Sequence, residues 1–534
     1  MKISLISTEN FIVAHGARQL SACLKAKGHA AQLIFLPLPH HEDLSEYEPA
    51  VLKQLIKLLR GTDLVGISSM AISSHRAKQV AEAVKQAKVA PVIWGGIYAT
   101  TCPEKCLQAA DMVCIGEGED AILELAEKFS RQEDYLSTRN LWFKQDGRIV
   151  RNPLRPLKDN LDDLPFADYE LDTQYILKGR RIIPARDHLD ANPEQVHLGQ
   201  ILVHTARGCP YSCAYCSNRF LNHLYKGKGR IIRKRSFKNV IEEIVRLREK
   251  FPLAASVFIT DDVFFLRDID ELKFFSREYR LRVNIPLQCY AAPPTIKEDK
   301  LQLALQAGLC RVIMGIQSGS ERLNREIYKR YVTCETVLNA ARILNQYKNE
   351  MEFPTYQFIV SNPYETADDL VETVRFLQKL PRPYSLEVSN LIFFPGCELF
   401  EKAVSEGLIN NPQDAKYNID YYDERRHLKL EKKNAYLNTL IYCMRGSVLP
   451  SIAGGMPDPL IDFFVRQKDS KWVFFYWLAI LSFWRLRNAY LKVSAVMPVT
   501  FRRALSRQLK KGFISSSMAW RQKKENCCNQ DRVC

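Results

Sequence analysis

The chain offers little that would mark it for export. Residues Met1–Thr8 hold neither a basic leader nor a long apolar run, so no secretory signal is read there and a reducing cytoplasm is the expected compartment. In that setting the 15 cysteines read as thiols or metal ligands and not as disulfides. Low-complexity bias is absent as well, since 46% hydrophobic and 25% charged residues describe ordinary globular material. The apolar stretch Trp472–Trp484 has 13 residues; at about 20 Å as a helix it is too short for the roughly 30 Å core of a bilayer. No recognised nucleic-acid module accompanies the basic residues, which argues against nucleic acid as a partner despite a pI near 9.1.

What is present is length and uneven charge. A chain of 534 residues exceeds one ordinary hydrophobic core and predicts two or three domains. The formal charge is +16, yet residues 421–534 alone hold 21 Lys+Arg against 8 Asp+Glu, a net +13. The basicity belongs to the tail.

Apolar strand patterns alternate with helical spacing over residues 1–135: "ISLIS", "AQLIFL", "LVGIS", "PVIWGG" and "MVCIGEGE". This predicts a doubly wound, Rossmann-like α/β sheet, which binds ligands at the carboxyl ends of its strands. Small residues stand there: Ser68 and Ser69, Gly95 and Gly96, Gly116 and Gly118. Glycines after strands also serve as plain turns. Residues 136–200 read as a polar connector with a short hairpin in "DGRIVRNPLRP" and an extended "LDDLPFADY", carrying no obvious chemistry. Over 201–410 six further βα units fit an open, partial version of the parallel TIM-type barrel. Residues 411–534 form a mainly helical, basic and aromatic C-terminal region.

The stretch "ARGCPYSCAYCSNR" follows the first barrel strand and spaces Cys209, Cys213 and Cys216 by three and then two residues. A structural zinc site would normally be closed by a fourth Cys or His; His204 and His223 flank the stretch, but no paired Cys-x2-Cys unit lies nearby. A four-iron four-sulfur cluster accounts better for three thiols and no fourth, because three irons take thiolate and the fourth keeps an open position.

This spacing, with Tyr215 before the last cysteine, resembles the signature of radical S-adenosylmethionine (SAM) enzymes. "FITDDVFF", "AGLCRVIMGIQSGSERL", "NPYETADDL", "FFPGCEL", "VIWGGIYAT", "IGEGE" and "LDDLPFADY" resemble the branch with an N-terminal cobalamin (B12)-binding domain, and the likeness covers residues 1 to about 410. The resemblance implies three cofactors: a 4Fe-4S cluster on Cys209, Cys213 and Cys216, SAM chelated at the open iron, and cobalamin. For SAM it implies Tyr215 beside the adenine, Asp261 and Asp262 near the ammonium, and Gln317, Ser318 and Gly319 near the ribose or carboxylate. For cobalamin it implies Thr8, Ser68, Ser69, Gly95, Gly96, Tyr98, Thr100, Gly116, Glu117 and Gly118. Two departures are visible: Gln317 replaces a common Glu, and Tyr98 a common His. "TENFIVAHGAR" also lacks the Asp-x-His-x-x-Gly that supplies a histidine to cobalt, so no lower histidine ligand is expected and His15 and His75 read as surface or capping residues.

The function so implied is a radical SAM C-methyltransferase, in which one SAM methylates cobalt and a second generates the 5′-deoxyadenosyl radical, with reduced flavodoxin or ferredoxin as electron donor. Oxidative ring closure of the anaerobic tetrapyrrole cyclase kind is the alternative, and a cobalamin or redox sensor a further one. The aromatic run Trp472–Trp484 followed by Arg485, Arg487, Lys492, Arg502, Arg503, Arg507, Lys510 and Lys511 suits the headgroup boundary of an anionic membrane. Binding there would make a lipid, isoprenoid or tetrapyrrole a natural substrate. The same run also suits a buried helix of a small C-terminal domain. Cys527, Cys528 and Cys534 read as part of a frayed polar tail in preference to an auxiliary metal cluster.

Overall fold

A computed structural model describes residues 1–9, 12–38, 45–145, 147–191, 199–409, 431–444, 458–480 and 482. The chain forms two compact units, Met1–Asn434 and Ala435–Cys534.

The first unit opens with the predicted alternation: β1 (Lys2–Ser7), α1 (His15–Ala26), β2 (Ala30–Phe35), α2 (Pro49–Leu58), β3 (Leu64–Ser68), α3 (Ser74–Gln86), β4 (Val92–Gly95), α4 (Ile97–Thr101), α5 (Pro103–Cys106), β5 (Met112–Cys114) and α6 (Glu119–Arg131). The strands are near-continuous apolar runs because helices cover both faces of the sheet. Their parallel order β5-β4-β3-β1-β2 reverses between β1 and β3, which is the switch point where such a sheet opens a crevice.

The connector does not stand apart from this sheet. Its hairpin, β6 (Leu141–Gln145) and β7 (Arg148–Arg151), adds antiparallel to β5. On the opposite edge β8 (Gln174–Lys178) joins β2 in parallel and β9 (Arg181–Pro184) turns back along it, completing nine strands before the short α7 (Ala185–Ala191).

The second half of the unit begins with β10 (Gln200–Val203), β11 (Ala206–Arg207), α8 (Ser217–Leu224), β12 (Arg233–Lys234), α9 (Phe237–Lys250), β13 (Ser256–Ile259), α10 (Ile269–Arg282) and β14 (Leu287–Ala291). It continues with α11 (Glu298–Ala307), β15 (Leu309–Gln317), α12 (Cys334–Gln346), β16 (Thr355–Val360), α13 (Ala367–Lys379), β17 (Ser385–Asn390) and α14 (Glu398–Ser405). Six strands pair in parallel in the order β10-β13-β14-β15-β16-β17, the expected partial barrel, while β11 and β12 form a separate antiparallel ribbon. Helix starts are locally encoded: Asp268 and Glu271 close a capping box on α10, as Thr366 and Asp369 do on α13.

In the second unit, the end of α15 (Lys432–Cys443) packs with α16 (Asp458–Arg466) and a helix over residues 473–480. Tyr436 donates to the Phe464 carbonyl at 2.7 Å and Trp477 Nε1 to Thr439 Oγ1 at 3.0 Å. Cys527, Cys528, Cys534 and the basic residues from Arg485 onward lie outside the described residues.

Candidate active site

Cys209, Cys213 and Cys216 share the loop between β11 and α8, and all three are free. Helix α8 holds the loop from one side, with Asn222 donating to the Cys209 carbonyl at 3.1 Å and Arg219 to the Ser212 carbonyl at 2.8 Å. On the other side the Ala214 N–H donates to the Tyr328 carbonyl at 2.8 Å and its carbonyl accepts from the Leu399 N–H at 2.9 Å. Gly208 has φ +93°, and a Cβ there would stand 2.1 Å from the Ile231 carbonyl oxygen, so the residue before the first cysteine has to be glycine.

Burial pushes the Cys209 thiol up to about 12 and Cys216 to about 11, with Asp262 and the neighbouring thiols adding to the shift. Each cysteine has to lose its proton to ligate a metal, so loading this loop would release protons to solvent. Among the described residues no three His, Cys, Asp or Glu side chains converge tightly enough for a single ion, and His204 faces Thr260 and His15 instead of the thiols. Three free thiols on one loop fit an iron-sulfur cluster with an open iron.

The strand ends around this loop divide the predicted SAM residues. Asp261 is fully enclosed: its carboxylate accepts from Thr205 N at 2.5 Å, from Ala206 N at 3.0 Å and from the Thr205 hydroxyl. Its oxygens thus fix the segment leading to the cysteines, and it does not face a ligand as expected. Asp262 lines the cavity and accepts from Asn218 at 3.0 Å. At the end of β15, Gln317 has φ +76° and folds its amide back over Gly315. Ser318 and Gly319 are tied to α13, Gly319 N donating to Thr373 Oγ1 at 3.1 Å, while Ser320 donates to Asp369 at 2.6 Å. Tyr215 stands edge-on to Tyr328, ring centroids 5.1 Å apart.

On the other sheet Ser68, Gly95, Gly96, Gly116, Glu117 and Gly118 line the same cavity, at the carboxyl ends of β3, β4 and β5. Thr8, Ser69, Tyr98 and Thr100 do not; they brace the lining from behind. Thr8 donates to Ser73 Oγ at 3.1 Å, Ser69 Oγ accepts from Trp94 Nε1 at 2.9 Å, and Thr100 Oγ1 accepts from Gly116 N at 2.9 Å. Tyr98 packs against Trp94, and burial raises its hydroxyl pKa. Glu117 carries two guanidinium groups, Arg207 and Arg233; burial lifts its carboxyl pKa, but these partners bring it below the ordinary value.

The cavity has a volume of about 430 Å³ and joins the two halves. It runs from the β1/β3 switch point, between the sheet and α1 and α6, to His204, Arg207, Thr260 and Asp262 at the barrel mouth. Leu161, Leu164, Pro165 and Tyr169 of the connector close one side, so the segment expected to carry no chemistry forms a wall of the site. His15 and His204 meet there at 4.2 Å between ring centroids, and the surrounding protein, reinforced by Arg207, pushes the His204 pKa down to about 4. His15 is therefore a lining residue of the chamber and not a plain surface or capping residue. Glycine edges for a broad flat ring and an apolar slot beside the sheet fit a corrin with its appended base.

Comparison with known proteins agrees with this geometry. The B12 binding domain matches residues 1–126 and the Radical SAM superfamily domain residues 203–377. The chain is 26% identical over 375 residues to the uncharacterized methyltransferase PH0819 of Pyrococcus horikoshii, covering 69% of this chain and 76% of the relative. It is 24% identical over 413 residues to cytidylyl-2-hydroxyethylphosphonate methyltransferase of Streptomyces wedmorensis, covering 69% and 71%. It is also 24% identical over 406 residues to anaerobic magnesium-protoporphyrin IX monomethyl ester cyclase of Rubrivivax gelatinosus, covering 72% and 65%. Two solved structures share the fold: TsrM of Kitasatospora setae (TM-score 0.59, 19% identity, 76% and 78% covered) and OxsB (TM-score 0.60, 14% identity, 87% and 70% covered). Two matched domains, three thiols on one loop and a glycine-edged chamber between them make this chain a member of the radical SAM superfamily, in its branch with an N-terminal B12 binding domain, and an enzyme whose cofactors are a 4Fe-4S cluster, S-adenosylmethionine and cobalamin.

Proposed function

We propose that the enzyme methylates an unactivated carbon of a small substrate. The observation that carries this reading is the single chamber onto which both the glycine edge of the first sheet and the mouth of the barrel open. Cys209, Cys213 and Cys216 would hold the cluster. Tyr215, Asp262, Gln317, Ser318 and Gly319 would surround SAM, and Ser68, Gly95, Gly96 and Gly118 would face the corrin. When bound, these groups supply a 5′-deoxyadenosyl radical and a methyl carrier. The chain's own residues control access and alignment. The connector wall and the apolar residues of the slot would limit water in the chamber. His204 stays neutral at physiological pH and adds no cation to it. Thr373 and Asp369 hold the turn at the end of β15 rigid. Reduced flavodoxin or ferredoxin is the proposed electron donor.

The test is anaerobic incubation of reconstituted protein with cobalamin, SAM and reductant. S-adenosylhomocysteine together with 5′-deoxyadenosine supports methyl transfer. Deoxyadenosine alone points to the cyclase alternative, kept because of the cyclase relative, and neither product under full cluster loading points to a sensor.

A membrane-surface location accompanies this proposal. Leu460, Phe463, Trp472, Phe474, Phe475 and Leu478 are all exposed within one short stretch of the second unit, with Lys468 and Lys471 among them. Among the described residues no helix is long and apolar enough to cross a bilayer. An aromatic face beside cations is how an interfacial element holds anionic lipid. A lipid, isoprenoid or tetrapyrrole substrate would then be met at the same boundary.

A further inference from the structure

The residues expected to touch cobalamin include Glu117, yet its polar groups are already engaged. Its carboxylate accepts from Arg233 at 2.7 and 2.9 Å and from Arg207 at 3.1 Å. Arg207 donates also to Glu119 at 2.6 Å, so two carboxylates meet two guanidiniums and the group is charge-balanced. The Glu117 N–H donates to the Tyr225 hydroxyl at 2.8 Å, and its carbonyl accepts from Asn140 at 2.9 Å.

Tyr225 shows that this contact is shaped, and not only charged. It follows α8 in the barrel half, and its hydroxyl sits in the hollow of Gly116, where a Cβ would come within 1.8 Å of it. Gly116 has φ +74°, so both the conformation and the space require glycine. The partners are equally placed: Arg207 and Arg233 face each other across the β11–β12 ribbon, and Arg207 stands two residues before Cys209. Arg233 is buried, with 4% of its side chain exposed, while Arg207 and Glu117 are partly shielded in the chamber wall.

We infer that Glu117 is a positioning residue that docks the cobalamin domain onto the cluster loop, and that the Glu117–Arg207–Arg233 group with its Tyr225 wedge sets the alignment of the two cofactor sites. The path from the corrin side to the cluster side runs Gly116, Glu117, Arg207, Gly208, Cys209, and the one non-covalent step in it is the ion pair. This inference rests on the cobalamin reading for its catalytic consequence, but the docking itself does not. Loosening the pair should leave the cysteines able to load iron and SAM able to be cleaved, while the radical is used less productively.

The test compares the full chain with Glu117→Gln, which keeps the shape and removes the charge, Glu117→Asp, which keeps the charge, and Tyr225→Phe, which removes only the wedge hydroxyl. Hydrogen exchange is followed in peptides covering residues 112–118 and 206–209. Glu117→Gln should speed exchange in both by about tenfold or more, since a partly buried pair guards both loops. Glu117→Asp should fall between it and wild type. Tyr225→Phe should affect mainly the 112–118 peptide, and it keeps the test decisive if a Glu117 variant fails to fold. In reconstituted protein the Glu117→Gln variant should hold wild-type iron and yield a higher ratio of 5′-deoxyadenosine to S-adenosylhomocysteine. Wild-type exchange in both peptides for Glu117→Gln and Tyr225→Phe would overturn the docking role. Raised exchange with an unchanged product ratio would overturn the alignment role. Failure of wild type to take up cobalt would sink the cobalamin reading and leave the exchange result to judge the docking.

Discussion

Replacing Gly208 by alanine is the sharpest single perturbation of the cluster loop. Two costs combine. At φ +93° an alanine is forced into left-handed backbone, worth about 1–2 kcal/mol. Its methyl would also stand 2.1 Å from the Ile231 carbonyl oxygen and 2.8 Å from the carbonyl carbon. That neighbour is backbone and cannot rotate away, so an overpacking cost of about 1–3 kcal/mol is added. The sum is about 2–5 kcal/mol, and relaxation would move the chain immediately before Cys209. Gly28→Ala is the control, because Gly28 has φ +81° with nothing within 4 Å of the added carbon, leaving only the conformational term of about 1–2 kcal/mol. Urea midpoints and iron content after anaerobic reconstitution are measured for both. Gly208→Ala should be less stable than Gly28→Ala and should load less iron, while Gly28→Ala loads normally. Equal midpoints with full iron in both would refute the reasoning.

Three further outcomes are expected. The Cys209, Cys213 and Cys216 triple Ala variant should lose about four irons per chain by metal analysis while retaining cobalt, if the two sites are independent. Asp261→Asn places a donor among the Thr205 and Ala206 donors and should cost about 2–3 kcal/mol in stability, read from the denaturation midpoint, whereas Asp262→Asn, whose amide oxygen can still accept from Asn218, should mainly weaken SAM binding by titration. Burial raises the Asp369 carboxyl, but Arg322, Ser320 and Thr366 outweigh it and hold the pKa at about 2. Because that value is below the unfolded one of about 3.9, the carboxylate stabilises the fold above pH 4 and the contribution, at most about 2.5 kcal/mol, disappears as pH falls towards 2. Asp369→Asn should flatten the acid limb of the stability profile over that window, and an unchanged limb would exclude this network as its source.

The parts of this architecture that lie in local patterns were legible. Buried parallel strands are apolar runs, so β1 to β5 and the six barrel strands stand where their hydrophobic segments are, and the cysteine spacing marks the cluster loop. What escaped depends on partners distant in sequence. Strands β8 and β9 are short, and nothing in their sequence says that β8 pairs with β2 and that β9 closes the edge. Asp261 and Asp262 are chemically identical neighbours, yet the first turns inward to Thr205 and the second towards the chamber. His15 and His204 belong to different halves of the unit and meet only once it is folded. The stretch after Trp472 could be core or interface by composition; the fold buries Ile480 and leaves Trp472, Phe474 and Phe475 out.

Glycine at a strand end proved the least specific of the signals, and the reason bears on how the site works. Gly95 and Gly116 both follow apolar strands and both border the chamber. Around Gly95 an added carbon would meet ordinary contacts at 3.8 Å, so its bare edge is left for whatever occupies the chamber. At Gly116 the hollow is filled by Tyr225 from the other half. One glycine is therefore spent on a ligand face and the other on joining the two halves, and substitution separates these roles. Gly95→Ala should weaken cobalamin uptake while sparing the urea midpoint. Gly116→Ala should displace Tyr225 and release the loop that carries Glu117, loosening exchange over residues 112–118 even before any cofactor is added. Were Gly116→Ala to leave that exchange unchanged, the Tyr225 contact would be incidental packing and the alignment of the two sites would have to come from elsewhere in the chamber wall.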